Sequence, residues 1–213
     1  MVTHKKSSTA SAILDCAVSI IEEQGESGVR ISDITECTGV SISSIYHFFD
    51  DREGLIAAAQ AQRYVRSLEL QMEAHRAVFS GITSADELRT LALGLSSLAN
   101  NPERAKYRLE RMNVIGSTLG RPVLAQKVAE IQDRFVIEFG EMIAAAQAKG
   151  WIRPDVDPLA LAAFMVGTIL GRTLIEIGPS SVDPEEWTKV FLVAMTAVLE
   201  VPGGSPRRDR VPE

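Results

Sequence analysis

Three times this chain sets an Asn or Asp, side chains that cap helices, directly before a proline: Asn101-Pro102, Asp157-Pro158 and Asp183-Pro184. Asn or Asp at an N-cap accepts a hydrogen bond from a free amide of the first turn. Proline just after it loses nothing, because its missing N–H would have had no partner there. Ser84 with Glu87 and Asp183 with Glu186 add the capping-box spacing. Gly25, Gly39, Gly120 and Gly150 fall where helices should stop. Between these marks the apolar residues recur at three and four, and no stretch alternates with period two over a strand's length. The spacing predicts an all-α chain of about nine helices, near 9–24, 32–38, 42–49, 52–79, 85–99, 102–119, 122–149, 158–177 and 184–200. The tail VPGGSPRRDRVPE is rich in Pro, Gly and charge and is expected to be disordered. The boundaries are therefore 1–51 for a small N-terminal domain, 52–201 for a larger helical one and 202–213 for the tail.

Composition narrows the function classes. Net charge is −6, so no overall basic signal points to nucleic acid. Cys16 and Cys37 belong to no metal-spaced cluster and read as free thiols of a reducing compartment. Asp15 interrupts the apolar run near the N-terminus, against a signal peptide. The apolar stretch Leu159 to Gly171 is shorter than the about 20 residues that span a bilayer. A cytoplasmic protein with no membrane partner is the expectation. The histidines, His4, His47 and His75, are scattered, and neither H-E-x-x-H, a phosphate-cradling glycine loop nor a nucleophile elbow occurs. No catalytic residue, metal or cofactor is expected, and an enzyme is disfavoured.

One stretch carries a different chemistry: TGVSISSIYHFFDDREGL, Thr38 to Leu55. A short turn with Gly39 joins two short helices, the connection of a helix-turn-helix. Val40 plugs the turn, and Ile45 with Phe49, four apart, face the core. Ser43, Ser44 and His47 project the other way, with Tyr46 at the boundary. Small hydroxyls let a helix approach the floor of a major groove, and Tyr and His can bond phosphates or base edges. Phe48 reads equally as packing on DNA sugars or on the neighbouring helices. Asp50 with Glu53 reads as the cap of the next helix, and Arg52 in its first turn suits a phosphate.

The segment Ile13 to Leu55 resembles the DNA-binding domain of the TetR family of transcriptional regulators. The matching residues are ILDCAVSIIEEQG, ISDITECTGVS, SIYHFF and the REGL helix start. The resemblance implies an all-α homodimer: a three-helix, helix-turn-helix DNA-binding domain, then a larger helical domain for ligand binding and dimerisation. It implies a regulator, most often a repressor, released from a palindromic double-stranded operator by a small, mainly apolar effector. Carried onto this chain, the DNA-facing residues are Arg30, Ser32, Ser41, Ile42, Ser43, Ser44, Tyr46, His47 and Arg52. Ile42 stands where the family often has a polar residue; it cannot hydrogen-bond a base but can touch a thymine methyl. The first 55 residues hold four Lys/Arg against nine Asp/Glu, a balance of −5. That acidity supports an alternative, a helix-turn-helix adaptor that acts through protein contacts without small-molecule control.

The C-terminal helices supply the remaining candidates. Phe135, Phe139 and Met142 lie on a stripe at helical spacing, and with Arg108, Met112 and Met165 they form the candidate effector pocket. An inward arginine would favour an acidic effector. Ala163, Gly167 and Gly171 recur every four residues, which suggests close approach by another helix. Trp187, Val190, Ala194 and Ala197 offer a second apolar face. These seven residues are the candidate dimer interface, with the two-fold axis of a four-helix bundle between subunits. The competing reading is that the glycines admit the effector or another helix of the same chain.

Overall fold

A computed structural model describes residues 2–90, 94 and 101–199, and among them the chain is helical with no strand. The helices are α1 (Val2–Gln24), α2 (Ile31–Thr38), α3 (Ile42–Phe49), α4 (Arg52–Gly81), α5 (described over 85–90 and at 94), α6 (Ala105–Ser117), α7 (Pro122–Ala148), α8 (Pro158–Gly171) and α9 (Pro184–Leu199). The rest of the helix expected over 85–99 and the tail expected over 202–213 lie outside the described residues.

The three caps before proline form as the sequence implies, but Glu186, expected in a capping box with Asp183, pairs with Lys189 instead. The side chains of Asn101, Asp157 and Asp183 accept from the amides of Glu103, Ala160 and Glu185 at 2.8, 2.7 and 2.7 Å. Ser84 accepts from the amide of Glu87, whose carboxylate reaches back to the amide of Thr83. All four helix-stopping glycines have positive φ, and Gly39, at φ 68°, closes α2 in the left-handed conformation that side chains rarely adopt. One cap differs. Asp51, not Asp50, caps α4 by accepting from the amide of Gly54 at 2.7 Å. Asp50 instead has φ 63° and ψ −56°, with the amide of Asp51 bonded to the carbonyl of Phe49 at 2.7 Å. That is a γ-turn of the rare, strained hand.

The chain divides into two compact units, Met1–Glu69 with Glu110–Gln132, and Leu70–Leu109 with Asp133–Glu213. The DNA-binding domain expected over 1–51 falls wholly in the first. Its core joins Ile13, Ala17, Val18 and Ile21 of α1 to Val29, Ile34, Ile45, Leu55, Ile56 and Ala59. The packing of α1 on α2 also brings Cys16 and Cys37 to a Cα separation of 6.6 Å, and the two are joined as a disulfide. The reading as two free thiols does not hold, because 21 residues of chain separate a pair that only tertiary packing makes neighbours.

In the second unit, Phe135, Phe139 and Ile143 of α7 are buried, as are Leu161, Ala162 and Val166 of α8. Ile169, Phe191 and Met195 join α8 to α9, with Met165 and Leu192 packed against them. A 3-10 turn, Arg172–Ile175, continues α8, and the two together fall within the helix expected over 158–177. Pro158–Ile175, 18 residues of mean hydropathy 1.7, has the length and apolarity of a membrane span. Arg172 within it is buried, and it donates to Glu176 at 2.8 Å and to Thr188 at 3.0 Å.

Candidate nucleic-acid interface

α3 is short, and its two faces are sharply divided. Ile45 is fully buried, and Phe48 and Phe49 are half-buried against the N-terminal core. Phe48 therefore packs partly on the protein, with the rest of its ring exposed. Ile42, Ser43, Tyr46 and His47 are exposed. They stand at i, i+1, i+4 and i+5, which puts them on one face of the helix. Ile42 and Tyr46 are the large apolar groups of this face, 50% and 41% exposed. A methyl-bearing side chain, a hydroxyl, a phenol and an imidazole thus share one surface.

The other sequence candidates divide between cap and surface. Ser41 is the N-cap of α3: its oxygen accepts from the amide of Ser44 at 3.2 Å and lies 2.9 Å from the Ser44 hydroxyl. Both hydroxyls are engaged in starting the helix. Arg30 precedes α2 and is exposed, and Ser32 donates to Asp33 at 3.0 Å.

Arg52 does not face outward as a phosphate ligand. Its Nε donates to the carbonyl of Val29 at 2.8 Å, Nη2 to the carbonyl of Glu26 at 2.9 Å, and Nη1 to Glu53 at 2.8 Å. Each nitrogen of the guanidinium is thus engaged within the protein. The fixed fork of the arginine thus reaches the carbonyl that opens the 3-10 turn Glu26–Gly28 and the carbonyl of Val29 just after it. Arg52 fastens the start of α4 to the turn that follows α1.

Glu26 is the centre of this fastening. Its carboxylate accepts from Gln60 of α4 at 2.5 Å and from Arg121, just before α7, at 2.5 Å. Arg121 also pairs with Glu53 at 3.2 Å. Burial raises the Glu26 pKa, but the bonds from Gln60, Arg121 and Ser117 and the charge of Arg121 outweigh it, and the carboxyl lies below its ordinary value. Deeper along α4, Arg63 is buried and donates to Gln60 at 2.7 Å and to Asn113 of α6 at 3.2 Å. A run of polar contacts therefore joins the helix-turn-helix to α4 and to the α6–α7 junction, all within the first unit.

Residues 13–59, the segment that builds this surface, match the family described as bacterial regulatory proteins, tetR family. The N-terminal domain belongs to the TetR family. A Rhodococcus sp. protein assigned to the TetR family of transcriptional regulators is similar over 91% of this chain and 100% of its own, at 26% identity and a TM-score of 0.65. A protein from Saccharomonospora viridis, described as a transcriptional regulator and solved in complex with choline, is 20% identical. It has a TM-score of 0.62, over 91% of this chain and 99% of that one. The nucleoid occlusion factor SlmA of Marinomonas sp. (strain MWYL1) is 22% identical over 197 residues, 88% of this chain and 95% of that protein. The full chain thus has the TetR fold, with the DNA-binding helix-turn-helix domain of a transcriptional regulator at its N-terminus.

The expected effector residues divide between the two units, Met112 in the first and Arg108, Phe135, Phe139, Met142 and Met165 in the second. Met112 is 40% exposed. Met165 packs into the α8–α9 cluster, and Met142 is half-buried. Arg108 is turned inward, but its guanidinium is held by both carboxylate oxygens of Glu176. The preference for an acidic effector that an inward arginine implied therefore lapses. Phe135 and Phe139 remain neighbours, with ring centroids 6.5 Å apart. The residue the sequence reading missed is His75, stacked on Phe139 with centroids 4.3 Å apart and planes 4° from parallel. Its spacing of four from Gln71, and of four again from Ser67, marks a polar line on α4 that could have drawn notice.

Proposed function

We propose that this protein is a homodimeric, ligand-responsive transcriptional repressor, with α3 as the element that enters the major groove of an inverted-repeat operator. The observation that carries the reading is the exposed face of α3, where Ile42, Ser43, Tyr46 and His47 stand together over a helix anchored by Ile45. Tyr46 and His47 bond phosphates or base edges. Ile42 meets a thymine methyl, and Ser43 leaves room for the groove floor. Arg30 and Ser32 are the flanking phosphate contacts, and Ser41 and Ser44 act by starting α3 at the right point.

The partner subunit is a second copy of this chain, held through α8 and α9. Phe164, Val190 and Val193 are 52%, 70% and 71% exposed, and Ala163, Gly167, Ala194 and Ala197 are exposed beside them. Trp187 is half-buried at the start of the same α9 face, and Gly171 is half-buried at the end of α8. A Cβ built at Gly167 or Gly171 would meet nothing of this chain within 4 Å. That favours a helix from outside the chain over one from within it. A contiguous apolar surface of this kind is what a dimer covers.

The effector binds the second unit and lowers operator affinity, and α4, which supplies residues to both units, transmits the change. The choline complex of a protein with the same fold supports small-molecule binding by this chain. The test begins with selection of operator sequences from a random duplex pool by the full chain. An inverted repeat is expected, with Tyr46→Ala and His47→Ala weakening binding while helicity is unchanged. A protein that selects no sequence and binds no duplex would instead be an adaptor acting through protein contacts, the role its acidic N-terminal domain favours.

A further inference from the structure

His75 is an awkward residue for a core. It is 6% exposed on α4, with Phe139 stacked against one face and the Phe135 ring 6.4 Å away. Phe79, one turn on, meets the edge of Phe139 at 83°. The His75 Nδ1 is shut off from solvent and has no hydrogen-bond partner among the described residues. Buried polar atoms are almost always paired, and an orphan calls for an explanation. Packing alone does not supply one, because a phenylalanine would fill this aromatic cluster without leaving a polar atom unmet. Gln71, one turn earlier on the same face, is buried too.

We propose that His75 is the polar anchor of the effector site in the second unit, and that the effector is a flat, uncharged molecule with one hydrogen-bonding group on an aromatic or similarly apolar body. The inference rests on the ligand-responsive reading above and names the class of ligand. The flat body packs with Phe135 and Phe139, and the polar group bonds the imidazole edge. The partner of an atom sealed from water has to be a molecule enclosed with it. Burial also pushes the His75 pKa down to about 4, so the ring presents itself neutral at physiological pH. Arg76, the next residue on α4, already pairs with Glu138 at the surface. A neutral imidazole set among the Phe135 and Phe139 rings offers an anionic ligand no countercharge.

Three probes of one shape separate the terms: 2-naphthol carries a hydroxyl, naphthalene none, and 2-naphthoate a charge. Calorimetric titration of the full chain is expected to show 2-naphthol binding about tenfold tighter than either of the others, the worth of one buried hydrogen bond. His75→Phe should erase the advantage of the hydroxyl while keeping naphthalene binding. Histidine side-chain NMR of the wild-type chain should show one imidazole shifted by 2-naphthol and not by naphthalene, which needs no variant to fold. Equal binding of the three probes, a preference for 2-naphthoate, no binding of any, or a naphthol advantage that survives in His75→Phe would overturn the proposal. Operator binding measured on the same samples keeps the two readings apart. A chain that binds its operator but fails the probe series loses only the ligand assignment, whereas one that binds no operator loses the regulator reading itself.

Discussion

A Cβ placed on Gly54 would stand 2.0 Å from the carbonyl oxygen of Phe49. The last turn of α3 and the first turn of α4 thus touch backbone to backbone, through a carbonyl that also accepts from the amide of Asp51 in the strained turn at Asp50. No flexible side chain is there to give way. Gly54→Ala is expected to force the two helices apart, at about 1–3 kcal/mol or more, the usual cost of overpacking. Denaturant unfolding followed by circular dichroism measures it. Operator affinity should fall with stability, because the displaced element is the DNA-facing helix. A variant as stable as the parent would show that the turn can relax.

Arg52 and Arg30 should separate on DNA although both are basic groups beside the same surface, because Arg52 is half-buried and held by the protein whereas Arg30 is exposed. Arg52→Ala removes donors from the carbonyls of Val29 and Glu26, so its effect is a loss of folding stability of about 1–3 kcal/mol. Arg30→Ala should leave stability alone and act on the salt dependence. Each phosphate contact adds about 0.9 to the slope of log affinity against log salt, so a dimer losing two should show a slope shallower by about 2. Titrations at several salt concentrations distinguish the two outcomes. An unchanged slope in Arg30→Ala would remove that residue from the interface.

Much of the fold was legible because it is encoded locally. Asn101, Asp157 and Asp183 cap the helices they precede, and the four helix-ending glycines all take positive φ. The inward and outward sides of α3 also follow from spacing alone, since Ile45 cannot face the core without turning Tyr46 and His47 away from it. What stayed hidden depends on residues distant in sequence. The carbonyls that claim Arg52 lie 23 and 26 residues back. Glu176, which holds Arg108, lies 68 residues on. A cap is a property of four consecutive residues, whereas the task of a long charged side chain is set by whichever element lies opposite.

The Glu26 carboxylate gives the first unit an acid-sensitive joint. Its pKa is lowered on folding, so it contributes stability above its ordinary value of 4.5 and loses that contribution as pH falls through the depressed folded value. Unfolding midpoints should therefore decline on acidification below about pH 5, the onset expected for a depressed carboxylate. Glu26→Gln, which cannot titrate, should start less stable at neutral pH and show a shallower acid limb. Parallel curves for the two proteins would mean that the ties to Arg121 and Gln60 carry no net weight.

The link between Cys16 and Cys37 closes a loop over 21 residues of separation across α1 and α2. Loop-closure entropy for a crosslink of this span is worth about 3 kcal/mol. Dithiothreitol is expected to lower the unfolding midpoint of the parent, and to have no effect on Cys37→Ser, which should match the reduced parent. Mass spectrometry with alkylation reports whether the bond was present at the start. A parent insensitive to reductant would place no stability in this pair.

Gly167 offers a test of the dimer in which the sign of the effect decides. Glycine inside a helix costs about 0.8–1.0 kcal/mol relative to a good helix former, so replacing it usually stabilises a helix when there is room. Within one chain there is room, because a Cβ at Gly167 meets nothing within 4 Å, and the same holds at Gly171. If α8 faced only water, Gly167→Leu would raise stability by about 1 kcal/mol and leave the mass unchanged. If a second copy covers this face, the added side chain enters the space its helix needs. Sedimentation should then show monomer, and operator binding should lose its cooperativity. Val193→Asp, on the exposed side of α9, should produce the same monomer through charge rather than bulk. Agreement between the two would assign the α8–α9 face to the subunit contact. A stabilised, still dimeric Gly167→Leu would move that contact elsewhere.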